Sequence, residues 1–189
     1  LKLSLTLQKN NSETKEMLDD VNSMQLMLDE FLAFAKTEAI EETTLVDPVL
    51  FIKQVINRNR NSLLNIETIF KDNSLSIKRI PLRTNMFERA IQNIIDNAMN
   101  FGSRIILNLE TRKKYLLLVI EDDGPGIPQE EYKNVFKPFY RLDKSRSLNK
   151  SGVGLGLSIS EDIIASHGGN IQLNKSRYEG LQVKISLPF

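Results

Sequence analysis

Residues 85–101 read NMFERAIQNIIDNAMNF, and the two faces of this stretch decide the fold. Phe87, Ala90, Ile91, Ile94, Ile95 and Ala98 recur at helical spacing, which predicts a helix with one apolar stripe laid on a core. Asn85 stands where an N-cap would, with Glu88 three residues on, the pattern of a capping box. The other face is polar in an unusual way. Asn93 and Asn97 stand at i and i+4, and Asn100 shares their side. Asparagine is a mediocre helix former, costing roughly several tenths of a kcal/mol at each interior position. A neutral amide oxygen suits a hard, partly hydrated cation such as Mg²⁺, which also takes phosphate oxygens. From these residues alone, a merely solvated polar face reads equally well.

Working outward, RIILNLE (104–110) and YLLLVIE (115–121) predict a hairpin around TRKK. EDDGPGIP (121–128) then carries Asp122 and Asp123 from the end of an apolar strand into a loop with Gly124, Pro125 and Gly126. A carboxylate held there can accept a hydrogen bond from an exocyclic amino group such as that of adenine, a donor guanine does not offer at the same edge. A plain turn after a strand is the competing reading. Residues 122–153 are predicted to be mostly loop. SGVGLGLSIS (151–160) sets Gly152, Gly154 and Gly156 at alternate positions before a helix, where backbone N–H groups form an anion cradle. No Gly-Lys-Ser/Thr closes it, so it is not a Walker A loop. The preceding RLDKSRSLNK, with Arg141, Lys144, Arg146 and Lys150, suits a lid over phosphates or a solvated loop.

That last helix ends in SHGGN (166–170), which holds the single histidine of the chain, His167. Its charge switches near neutral pH, which invites a catalytic reading. The glycines after it predict a helix end instead, with Gly168 in the left-handed C′ conformation. NIQLNK and LQVKISL close the sheet through a YEG turn. Upstream, DPVLFIKQVINRNR has Asp47 as cap and Pro48 in the first turn, and so predicts a helix. NIETIF and LSIKRI predict short strands around a DNS turn. The whole of 41–189 therefore predicts an α+β domain, a two-layer α/β sandwich with a mixed sheet.

Residues 1–40 differ. The first 37 contain no glycine and no proline. After a turn at NNSE, capped by Asn11 or Ser12, come Met17, Val21, Met24, Leu28, Phe31 and Ala35 at alternating spacings of four and three. That is a heptad seam. It fits an amphipathic helix packed on its own domain, or half of an α-helical hairpin whose seam belongs with a second chain, KLSLTLQK being the tail of its partner helix.

Composition narrows the function. Net charge is +1, from 25 basic and 24 acidic residues, so no global field favours nucleic acid or an anionic membrane. No apolar run approaches the roughly 20 residues of a membrane span. Zero cysteines and one histidine leave no disulfide and disfavour a zinc site. A cytoplasmic location is expected.

Taken in order, these stretches resemble the sensor histidine kinases of two-component signalling. NIIDNAMNF resembles their N box, EDDGPGIP the first glycine box, FKPFYR the F box and GVGLGLSI the second glycine box. The LDKSRS segment looks most like the osmosensor-type (EnvZ-like) branch. The resemblance implies a Bergerat-type ATP-binding sandwich that takes ATP and Mg²⁺. By it, Asn97 coordinates Mg²⁺, Asn93 lies one turn before it at the phosphates, and Asp122 reads the adenine amino group. Gly124, Gly126 and Ile127 shape that end, Phe136, Pro138 and Phe139 anchor the lid, and Tyr140 and Arg141 are among the nucleotide-binding residues. Gly152, Val153, Gly154, Leu155, Gly156 and Leu157 meet the nucleotide, as do Asn100 and Phe101, and Arg146 contacts the γ-phosphate. Residues 1–40 would be part of a dimerisation and phosphotransfer hairpin, and its acceptor histidine would fall just upstream of KLSLTL. The implied partners are a response regulator and, in the full-length parent, a second copy, the parent being a membrane sensor whose cytoplasmic portion this is. Asn100 departs from the family, which often has a lysine or arginine there reaching the phosphates.

Two other functions compete. ATP-hydrolysing relatives such as gyrase and Hsp90 carry a glutamate base where this chain has Asn93, and a neutral amide cannot take a proton from water. A nucleotide-free dimerisation scaffold fits the hairpin but gives Asp122 and the glycine boxes no task.

Overall fold

In the computed structural model the described residues are 17, 18, 20–22, 24, 25, 28, 32, 41–59, 66–71, 79–112, 114–142 and 154–188. In chain order the elements are β1 (Thr44–Val46), α1 (Pro48–Asn59), β2 (Ile66–Lys71), β3 (Ile80–Leu82), α2 (Thr84–Phe101), β4 (Ile105–Thr111) and β5 (Tyr115–Asp122). They continue with α3 (Gly156–Ser166), β6 (Asn170–Lys175) and β7 (Leu181–Pro188). The loop after β5 carries two short 3₁₀ turns, at 129–131 and 134–136.

Five strands form one sheet in the order β2-β4-β5-β7-β6. β2 runs parallel to β4, and every other neighbour pair is antiparallel. The parallel pair needs a crossover, and the chain between β2 and β4 supplies it in α2. β1 and β3 make a separate antiparallel ribbon. Alternate residues of the central strands face the helices. Leu107 lies opposite Ile120, and Leu118 lies between Leu109 and Ile185. These join Phe87, Ile91, Ile94 and Ile95 of α2 and Ile159, Ile163 and Ile164 of α3 in one core. The result is the α+β sandwich with a mixed sheet that the patterning predicts.

The helix starts divide the expectations. Asp47 caps α1 as predicted, its Oδ1 accepting from the N–H groups of Val49 (2.9 Å) and Leu50 (3.1 Å). Asn85 does not cap α2, which begins one residue earlier at Thr84 with no cap bond from the side chain at its N-cap, Arg83. The cap comes from far away in sequence. Glu41 accepts from the N–H of Asn85 (2.6 Å) and of Met86 (3.0 Å) and from the Thr84 hydroxyl (3.2 Å). A carboxylate at a helix N-terminus satisfies donors that the helix leaves open and meets the positive end of its dipole. Glu88, no longer needed for a capping box, pairs with Arg58 at 2.7 Å.

LSIKRI lies mostly outside the described residues. Its last residue, Ile80, opens β3, which pairs with β1 and not with β2. Of the heptad positions, Met17, Val21, Met24 and Leu28 are helical, and Met17, Met24 and Leu28 are more than half exposed, at 55%, 68% and 56%. Phe31, Ala35, KLSLTLQK and the NNSE turn lie outside the described residues. No helix among the described residues is long and apolar enough to cross a membrane.

Candidate functional site

A cavity of about 520 Å³ opens between α2, the end of β5, the loop 125–142 and the start of α3. Its floor is apolar, with Ile94, Ile120, Ile159 and Val183. Its polar groups are few and come from separate elements, as expected of a small-molecule site.

Asp122 ends β5 and is nearly buried, at 6% exposure. Its Oδ1 accepts from the N–H of Gly124 (2.9 Å) and from the N–H of Leu181 on β7 (3.0 Å). Among the described residues no donor reaches Oδ2, so the second oxygen of a fixed carboxylate is left for whatever enters the cavity. Burial pushes the Asp122 carboxyl above the ordinary aspartate range, against the opposing pull of those two backbone bonds. Its neighbour Asp123 has a different task. Asp123 takes the N–H groups of Arg104 (2.9 Å) and Ser103 (2.7 Å) and the Ser103 hydroxyl (2.7 Å). These bonds, the Arg104 N–H foremost, hold its carboxyl down at about 2. Asp123 therefore fastens the turn that follows α2.

Gly180 is a residue the sequence reading passes over. A Cβ there would collide with the Asp122 carboxylate and carbonyl and stand 2.6 Å from the Gly124 nitrogen. Only glycine lets the 176–180 turn close over Asp122. Glu121, fully buried on the opposite face of β5, holds that turn through Arg177 at 2.8 Å.

α2 supplies the amide wall. Asn93, Asn97 and Asn100 all line the cavity. Asn93 Nδ2 donates to the carbonyl of Gly156 at 3.2 Å, which leaves its Oδ1 as a free-standing acceptor type. Gly156 opens α3 and lies against both Asn93 and Asn97, 3.6 and 3.9 Å from where its Cβ would be. Gly154 adopts φ +80°, and a Cβ on it would stand 2.8 Å from the Tyr140 carbonyl. Its carbonyl accepts the Phe139 N–H at 3.0 Å, tying the FKPFYR stretch to the second glycine stretch.

Of the residues singled out from the sequence, Phe101, Gly126, Ile127, Tyr140, Arg141 and Leu157 also line this cavity. Gly124, Phe136, Phe139 and Leu155 do not. Gly124 is fixed behind Asp122, Phe136 packs against the core, Phe139 is 53% exposed with φ 65°, and Leu155 is buried before α3. Arg146, Gly152 and Val153 lie outside the described residues, as do Lys144 and Lys150. The cavity adds Arg89 and Asp96 from α2 and Leu181 and Val183 from β7. Arg89 and Asp96 follow from the helical phase of Asn93, whereas the β7 residues depend on strand pairing that only the fold reveals.

His167 is remote from this chemistry. Its Nε2 accepts the Arg83 N–H at 3.1 Å, and its Nδ1 sits 2.7 Å from the Ile163 carbonyl, which makes Nδ1 the protonated nitrogen. The ring also stands edge-on to Phe87, 5.7 Å between centroids. Gly168, at φ +73°, donates to Ala165 O, and Gly169 to Ile164 O, both at 2.9 Å, a complete Schellman closure. His167 thus joins the end of α3 to the start of α2.

A mixed five-stranded sheet with its cavity enclosed between the helix layer and the β5–β7 centre is the Bergerat-type ATPase sandwich. Residues 83–189 match the histidine kinase-, DNA gyrase B-, and HSP90-like ATPase family, and the chain belongs to that family. Sensor histidine kinases are among its relatives. It is 31% identical over 177 residues to the signal transduction histidine-protein kinase ArlS of Staphylococcus epidermidis, covering 90% of this chain and 39% of that protein. It is 28% identical over 185 residues to the sensor protein RstB of Escherichia coli, covering 94% of this chain and 42% of RstB. The chain thus spans less than half the length of these curated relatives. Among solved structures, the mycobacterial sensor histidine kinase MprB superposes with a TM-score of 0.63 at 27% identity, over 79% of this chain and 97% of that one.

Proposed function

We propose that this chain is the catalytic core of a sensor histidine kinase: it binds Mg·ATP in the α2–β5 cavity and directs the γ-phosphoryl group to a histidine. The phosphoryl group would then pass to a response-regulator aspartate. The observation that carries the reading is Asp122, a nearly buried carboxylate on the wall of an apolar-floored cavity, with one oxygen locked by two backbone N–H groups. That is the arrangement an adenine amino group requires. Asn93, Asn97 and Gly156 then lie along the same wall where the phosphates would run.

Among the described residues no group of three His, Asp or Glu side chains could hold a metal. The donor set therefore suits a cation that arrives on the nucleotide, with Asn97 as one neutral oxygen ligand and phosphate oxygens as others. When bound, Mg²⁺ would neutralise charge on the transferring phosphoryl group. Asn97 orients that cation, Asn93 positions phosphate oxygens, and Arg146 is the lid cation proposed for the γ-phosphate. His167 has both ring nitrogens engaged, Nδ1 with Ile163 of its own helix and Nε2 with Arg83 at the start of α2, so it is not the acceptor. The acceptor is assigned to a dimerisation hairpin of which residues 1–40 form part, in a homodimeric membrane sensor. The exposed seam residues Met17, Met24 and Leu28 support that assignment.

One observation favours hydrolysis as a second reading. Asp96 lines the cavity while remaining exposed, with its Oδ1 accepting from Gln92 at 2.7 Å, and a carboxylate placed there can serve as general base. The test is to supply γ-labelled ATP to the protein carrying its hairpin histidine. Acid-labile label on the protein is the expected result. Free phosphate without labelled protein, abolished by Asp96→Asn, would replace phosphotransfer with hydrolysis.

A further inference from the structure

We infer that Arg89 is the terminal-phosphate residue on the rigid wall of the cavity; this rests on the Mg·ATP reading above. Arg89 lines the same cavity as Asn93 and Asn97. The three stand at i, i+4 and i+8 on α2, a single face of the helix.

Direction along the helix identifies which part of the nucleotide Arg89 meets. The C-terminal end of α2 marks the Asp122 end of the cavity, since a Cβ on Gly102 would lie 3.2 Å from the Asp122 Cβ. Moving toward the N-terminus, the face presents Asn97, then Asn93 against Gly156, then Arg89. Each step is one turn, about 6 Å of rise. If Asp122 holds the base, Arg89 is therefore the cavity-lining residue of this face farthest from it, one turn beyond Asn93. An arginine side chain spans that distance, and the terminal phosphoryl group is the part of the nucleotide farthest from the base. Asn100 lies in the other direction, toward Asp122, and carries no charge. A guanidinium also suits phosphate better than an ammonium, through paired N–H donors.

Rigidity separates Arg89 from the other cation on the described wall, Arg141, which sits on the loop after Tyr140. Arg89 rides on a helix whose opposite face, Ile91 and Ile95, is fully buried. A charge on such a support is positioned before the nucleotide arrives.

The test is calorimetric titration of Mg·ATP and Mg·ADP into the chain and into Arg89→Ala and Arg89→Lys. Arg89 is partly exposed, so both variants should fold, and their thermal melts check this. The expected result is a loss of about tenfold or more in ATP affinity for Arg89→Ala, ADP affinity holding within about twofold, and partial recovery of ATP in Arg89→Lys. Unchanged ATP affinity, or equal losses for ATP and ADP, overturns the assignment while leaving the ATP reading intact. An unsubstituted chain that binds neither nucleotide overturns the ATP reading itself, and the assignment falls with it.

Discussion

Asp122 serves the fold and borders the cavity at once. Its Oδ1 accepts from the backbone of Gly124 and Leu181, and the residue lines the cavity. Replacing it removes a charge-assisted acceptor worth about 1.5–3 kcal/mol, so Asp122→Ala should weaken ATP binding roughly tenfold to a hundredfold. Because burial raises its carboxyl, ATP binding should also weaken on acidification before ordinary exposed aspartates titrate; calorimetry across a pH series checks this. His167 yields a stability prediction at the same scale. Burial depresses its folded-state value below the ordinary 6.5, against the pull of the Ile163 carbonyl. The unfolded chain therefore binds more protons as pH falls. The stability that neutral His167 contributes is complete above pH 6.5 and is lost as pH falls from there through the depressed value. Thermal melts at neutral and mildly acid pH should show that loss, and His167→Gln, which cannot protonate, should show less of it.

At the scale of elements, α2 is the part on which the site is built, and both its ends are fastened by distant residues. Glu41 holds the first N–H groups, His167 holds that of Arg83, and Asp123 fastens the turn beyond the helix. Glu41→Ala should cost about 1 kcal/mol, in the range of other lost caps, and speed hydrogen exchange at Asn85 and Met86. Glu41→Gln, which keeps an acceptor, should lose less; urea unfolding of the two variants makes the comparison. The β5–β7 junction is the second such element. Gly180→Ala would drive a methyl group into Asp122, so it should weaken ATP binding as well as stability. A control at the exposed turn residue Glu179 should do neither.

Over the whole molecule, the sequence makes legible whatever depends on local periodicity. The apolar stripe of α2, the β4–β5 hairpin, the Asp47 cap and the SHGGN helix end all repeat a spacing or a turn chemistry that neighbours in sequence define. Long-range pairing is what escapes such a reading. Asn85 satisfies the local rule for a cap, yet Glu41, 44 residues away, has the stronger, charged acceptor and takes the position. Gly180 looks like an ordinary turn glycine until β7 is laid beside β5 and places it on Asp122. Nothing local in NIETIF indicates that β2 will run parallel to β4. The site divides in the same way. Asn93, Asn97 and Asp122 are legible as chemistry at defined positions, whereas Leu181 and Val183 enter the cavity only through strand order.

The most direct measurement of the central claim is a calorimetric titration of ATP into this chain, with Mg²⁺ and then with EDTA. The account predicts saturable one-to-one binding that weakens when the cation is removed and weakens roughly tenfold to a hundredfold in Asp122→Ala. A folded chain that takes up no ATP at about millimolar concentration, some 4 kcal/mol of binding or less, would contradict it.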